Sequence, residues 1–237
     1  MTLLFRAHVR HSRHILHTCN RVFLRLISTP RQAYSESIKS GILAITLDRP
    51  KVKNAISTQL LHEFRNCITA AAKDRSYVTH PSVNLKFYVD RVCLTTRLRV
   101  LIVRSSERGS FCAGADLAER RTMSQEQVDA FLADLRAAFT ALEEFRMPTI
   151  AAIDGPALGG GLELALSVDL RVASEDVTKI GLPETKLGII PGAGGTQRAA
   201  RLLGPAKAKD LIFTGRTMNA REAHAFGEFT LRGHTHQ

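Results

Sequence analysis

Short apolar runs rich in β-branched residues alternate along this chain with longer stretches whose apolar residues recur at every third or fourth position. The first period is that of a buried strand and the second that of a helix with one buried face, so the expected fold is α/β, with strands and helices packed in layers. Ile42 to Leu47 is the first run, opened by Ser40-Gly41 and closed by Arg49-Pro50, with Leu43, Ile45 and Leu47 on one face. Ser57 to Arg75 follows as a helix whose stripe is Leu60, Leu61, Phe64, Ile68 and Ala71. Leu98 to Val103 reads as a buried strand. Ser124-Gln125-Glu126-Gln127 has the form of a capping box, and the helix behind it carries Val128, Phe131, Leu132, Leu135, Phe139 and Leu142 until Pro148 ends the pattern. Thr149 to Ile153 and Val168 to Val172 are two further strands. Between helix and strand, Ser76 to Arg97 keeps neither period, although Leu85, Phe87 and Val89 alternate; a connection that long is abnormal.

The composition fits a globular chain: 237 residues with 44% hydrophobic and 23% charged are outside the range of disordered or collagen-like sequences. No apolar run approaches the roughly 18 to 20 residues that a membrane-spanning helix needs, so no stable membrane insertion is expected. Cys19, Cys67, Cys93 and Cys112 stand far apart without a C-x-x-C pair, which indicates neither a disulfide framework nor a metal site; they read as reduced packing residues. The charge is uneven. Residues 1 to 34 hold six arginines, four histidines and no acid, and Ile15, Leu16, Cys19, Val22, Phe23, Leu26 and Ile27 form an apolar stripe opposite the basic ones. That is the pattern of a mitochondrial transit peptide, with a basic nucleic-acid or membrane arm as the alternative; a secretory signal is interrupted by Arg21 and Arg25. The formal net charge of +11 falls to +5 when those six arginines are set aside, so much of the basicity belongs to an address.

Three glycine-bearing segments carry the chemistry: Phe111-Cys112-Ala113-Gly114-Ala115-Asp116, Leu158-Gly159-Gly160-Gly161-Leu162-Glu163-Leu164, and Pro183-Glu184 leading into Ile190-Pro191-Gly192-Ala193-Gly194-Gly195-Thr196-Gln197-Arg198. Singly, each is weak, because small residues before a helix are more often a close-packed turn than a site. Together they suggest more. Gly159 to Gly161 lie before an apolar helical segment, where bare N–H groups and the helix dipole favour a developing negative charge. The Lys-Ser/Thr of a P-loop and the acidic ribose partner of a dinucleotide site are both missing, so acyl chemistry with an oxyanion is the better reading.

These motifs, with Arg49-Pro50 before Asn54-Ala55 and Ile153-Asp154-Gly155 before the glycine triplet, resemble the crotonase superfamily of enoyl-CoA hydratases and isomerases, and within it the mitochondrial members near methylglutaconyl-CoA hydratase. The likeness runs from about Ile42 to Gly227. It implies a crotonase-like spiral of ββα turns with surrounding helices, usually assembled as trimers or pairs of trimers. It implies an acyl-CoA substrate in the mitochondrial matrix and no separate cofactor or metal. By the same resemblance the N–H groups of Ala115 and Gly160 form the oxyanion hole, Glu163 and Glu184 are the catalytic carboxylates, and the coenzyme A groove is lined by Lys51, Lys53, Asn54, Ala55, Ala113, Gly114 and Asp116. Hydration needs both carboxylates: one takes a proton from the attacking water while the other supplies one, and mutual burial should separate their pKa values.

Two features depart from the family pattern. Ser76 to Arg97 stands as an insertion, and the residues after Gly227 replace the strand and closing helices expected there, leaving 228 to 237 as a divergent tail. The domain plan is therefore a leader over 1–34, the crotonase-like domain over 35–227, and the tail. The competing functions are an isomerase, which needs only one of the two glutamates; a catalytically impaired structural subunit, favoured by the departures; and RNA binding, for which the helix from Ser57 offers only Arg65, Lys73 and Arg75.

Overall fold

The computed structural model describes residues 30–73, 98–227, 229 and 231–233. The basic segment before Pro30 and the insertion Ser76 to Arg97 lie outside the described residues. In chain order the elements are β1 (Ala33–Lys39), β2 (Ile42–Leu47), α1 (Thr58–Lys73), β3 (Val100–Ser105), α2 (Leu117–Arg120), α3 (Gln125–Glu143), β4 (Thr149–Ile153), β5 (Ala157–Leu158), α4 (Gly160–Leu166), β6 (Leu170–Ser174), β7 (Ile180–Gly181), a 3-10 segment (Pro183–Leu187), α5 (Gly195–Leu203), α6 (Pro205–Thr214), β8 (Thr217–Met218), α7 (Ala220–Phe226) and β9 (Leu231–Gly233).

The larger sheet has the order β1-β2-β3-β4-β6-β9. Its hairpin β1–β2 is antiparallel and every other pair is parallel. Burial alternates along β3 and β4, so Leu101, Val103, Ala151 and Ile153 lie on the face turned to the core, whereas β2 is buried without a break from Ala44 to Leu47. The α1 stripe of Leu60, Leu61, Phe64, Ile68 and Ala71 is the buried face, as its period requires. The capping box at α3 is formed in both directions, with Ser124 Oγ accepting from Gln127 N and Gln127 Oε1 accepting from Ser124 N.

Several boundaries differ from the sequence reading for identifiable reasons. β3 ends at Ser105 because its partner β2 continues beside it, and Arg104 there reaches Glu36 of β1 at 2.7 Å. β6 starts at Leu170, since Ser167 caps α4 and the Asp169 carboxylate accepts from both Thr149 N and Thr149 Oγ1 at 2.8 Å. β1 begins inside the stretch assigned to the leader, with Ala33 buried and Tyr34 paired to Thr46; as an edge strand of mostly polar residues it gives no apolar alternation to read. The strand expected to be lost after Gly227 is present: β9 pairs Leu231 with Val172 and Gly233 with Ser174, using the edge that β6 leaves open. A second, small sheet of order β5-β7-β8 is made of two-residue strands and holds the turn on which α4 begins.

Candidate active site

The first wall of the site is the turn after β3, and polar side chains fix it. Asn54, with φ of 54° and no exposure, accepts from Arg49 N at 2.7 Å and donates to Ser105 Oγ at 2.8 Å and to Phe111 O at 2.9 Å. Asp116 caps α2 through the N–H groups of Ala118 and Glu119 and pairs with Arg49 at 3.0 Å. The backbone of Ile56 bonds Gly114 O and Asp116 N, bracketing Ala115 and leaving the Ala115 N–H without a partner among the described residues. Burial pushes the Cys112 thiol up to about 12, consistent with a packing residue.

The second wall is α4, whose seven residues are all buried. Its first N–H groups have no intrahelical acceptor, and that of Gly160 has no partner among the described residues. The two turns approach so closely that a β-carbon at Gly114 would stand 3.2 Å from the Gly160 nitrogen, and one at Gly160 would stand 3.5 Å from the Ala115 nitrogen. Two unused amide donors therefore lie side by side, the requirement for holding an oxyanion.

Both glutamates flank these donors. Glu163, in the first turn of α4 and 2% exposed, accepts at Oε1 from Ala193 N and Gly195 N, each at 2.8 Å. Glu184, on the 3-10 segment and also buried, packs against the turn before Gly160: a β-carbon at Gly159 would lie 2.9 Å from its Oε1. Its Oε2 is buried without a hydrogen bond. Burial raises the pKa of both groups. Glu184 is pushed up to about 7, first by burial and then by the charge of Glu163, with no donor to offset them beyond its own N–H. For Glu163, burial is opposed by the two N–H bonds and by the positive charges of Arg198 and Arg136. The asymmetry leaves Glu184 as the group that holds a proton near neutrality.

The residues assigned to the coenzyme A groove fall into two sets. Lys51, Lys53 and Ala113 are exposed, whereas Asn54 and Asp116 direct their side chains into the bonds that build the turn, and Ala55 and Gly114 are buried. Two clefts, of about 540 Å³ between α1 and α3 and about 480 Å³ at the ends of β3, β4 and β6, are lined by none of Ala115, Gly160, Glu163 or Glu184. Sequence reasoning missed the donors to Glu163: the Gly194-Gly195 motif marked the turn, but nothing in it says which way the N–H groups face.

The enoyl-CoA hydratase/isomerase family model matches residues 92–228. The chain is 49% identical over 188 residues to an enoyl-CoA isomerase/hydratase of Mycosarcoma maydis, 79% of this chain and 64% of that one. It is 43% identical over 215 residues to a probable mitochondrial enoyl-CoA hydratase 2 of Arabidopsis thaliana, 89% of this chain and 63% of that one. It thus spans less than two thirds of the length of these relatives. The crystal structure of an enoyl-CoA hydratase from Bacillus anthracis superposes with a TM-score of 0.75 at 37% identity, covering 86% of this chain and 71% of that one. Sequence motifs, the paired turns and these likenesses agree, and the chain belongs to the enoyl-CoA hydratase/isomerase family, with the crotonase fold.

Proposed function

We propose that this protein is an acyl-CoA hydratase that adds water across the 2,3 double bond of an enoyl-CoA thioester. The observation that carries this reading is the buried Glu163–Glu184 pair set against two unpaired amides. The thioester oxygen accepts from the N–H groups of Ala115 and Gly160. Glu163, in its charged form, takes a proton from water as the water oxygen bonds to Cβ; the electron pair of the double bond moves to the thioester oxygen, where the two amides stabilise the enolate. Glu184, protonated near neutrality, then gives its proton to Cα as the enolate collapses. One water is added and both carboxylates change protonation in opposite senses, to be reset by solvent.

The exposed Lys51 and Lys53 suit the phosphates of coenzyme A by charge, while Asn54, Ala55, Ala113, Gly114 and Asp116 shape the turn that the thioester would lie along. Coenzyme A is part of the substrate here. Isomerase activity is the second reading, since one relative is named for both reactions; burial of two coupled carboxylates favours hydration. RNA binding has less support, because Arg65 on α1 is already paired with Asp134. The basic leader and the name of the Arabidopsis relative support a mitochondrial location, and a trimer is the assembly that the family resemblance suggests. Incubation with crotonyl-CoA should lower the absorbance of the conjugated thioester until hydration reaches equilibrium. A folded chain that leaves crotonyl-CoA untouched yet converts a 3-enoyl-CoA would replace hydratase with isomerase.

A further inference from the structure

Arg198 sits in α5 at 8% exposure, a costly place for a charge unless it is fully paired. It is: Nε donates to Glu143 Oε2 at 2.9 Å, Nη2 lies 2.7 Å from the same oxygen and 3.4 Å from Thr140 Oγ1, and Nη1 donates to Ala193 O at 2.8 Å. The last bond exists only because residue 194 has no side chain; a β-carbon there would come within 2.2 Å of Nη1, and the φ of 104° is itself one that suits glycine. A second arginine holds the same turn from α3, Arg136 Nη1 donating to Gly192 O at 3.1 Å. The Gly192 carbonyl and the Ala193 N–H belong to one peptide group, and that N–H is one of the two that bond Glu163 Oε1. A cation on the carbonyl side polarises the peptide and strengthens the bond on its amide side.

We infer that Arg198 and Arg136 are positioning residues that clamp the Gly192–Gly195 turn so that its two amides fix Glu163 Oε1 and keep this carboxylate ionised. Neither arginine touches the reacting atoms. They act through the turn, orienting Oε2 of Glu163, which accepts no hydrogen bond among the described residues, and through their charge. The groups facing Glu163 are Glu184 from the 3-10 segment, Arg198 from α5 and Arg136 from α3, with Glu143 behind Arg198. Of these, only the arginines favour the anion. The inference rests on the acid–base reading of Glu163 for its catalytic meaning, but the clamp itself is testable without turnover.

The experiment is a ¹³C NMR titration of the glutamate carboxyls on the Glu184→Gln background, where Glu163 is the remaining member of the pair and its signal is identified by its loss in Glu163→Gln. Arg198→Met and Arg136→Met should each raise the Glu163 midpoint, Arg198→Met by at least about threefold in proton affinity. Arg198→Lys, which keeps the charge and loses the fork, should fall between Met and the native residue. With Glu184 restored, Arg198→Met should lower kcat for crotonyl-CoA hydration about tenfold or more, with KM little changed, and move the acidic limb of the kcat profile to higher pH. Arg136 is exposed on α3, so its variant tests the clamp even if Arg198→Met does not fold. Unmoved midpoints in the folded variants would overturn the inference. Shifted midpoints in a chain without hydratase activity would leave the clamp standing and remove the proposed reaction.

Discussion

At the scale of single residues, Glu184 is held where its charge is least welcome. Its native pKa of about 7 lies above the ordinary 4.5, so the folded state binds this proton more tightly than the unfolded one. Folding stability contributed by that proton is present below pH 4.5, declines as pH rises, and is gone above about 7, where the buried anion costs roughly 1 to 3 kcal/mol, the lower end allowing for residual solvation. Glu184→Gln should accordingly be more stable than the native chain at pH 8 and nearly equal to it at pH 4 in urea unfolding; equal stability at both values would mean that the carboxylate is not desolvated. Asn54 is the converse case, a polar residue whose burial is fully used. Asn54→Ala strands the Arg49 N–H and the Phe111 carbonyl and places alanine at φ of 54°, which should cost about 2 to 4 kcal/mol. Loss of the turn's support should also lower turnover; an unperturbed melting temperature would contradict the structural role.

Among elements, the long helices and the central strands were legible because their burial follows a period: the α1 stripe and the α3 capping box are written in the residues that make them. Ser124→Ala should lower stability by about 1 kcal/mol, read as a shifted urea midpoint with unchanged slope. Elements too short to show a period were not legible. β5, β7 and β8 have two residues each and exist because the chain brings their backbone groups together, not because Ala157-Leu158 or Thr217-Met218 prefers to be a strand. β1 hid for another reason, as a polar edge strand. In the site, the glutamates and the glycine turns stood out as motifs, whereas the bonds from Ala193 and Gly195 to Glu163, and the arginines behind them, depend on the direction of individual peptide groups, which no spacing encodes.

For the molecule as a whole, the family motifs sit on one scaffold although Ser76 to Arg97, the stretch that the sequence reads as an insertion, stands between α1 and β3 in the chain. Loop length alone is cheap, about 0.6 kcal/mol per doubling. A chain lacking residues 76–97 should therefore keep its fold and activity and gain no more than about 2 kcal/mol of stability. A large loss on deletion would show that the segment contributes packing of its own. The central claim is that two buried carboxylates beside two free amides act together on an enoyl thioester. Its most direct test is crotonyl-CoA hydration by Glu163→Gln, Glu184→Gln and the double variant, with coenzyme A binding measured in parallel. Each single substitution should lower turnover about 10²- to 10⁴-fold while binding stays near the native value, and the double variant should be scarcely worse than either. Native turnover in both single variants would contradict the account.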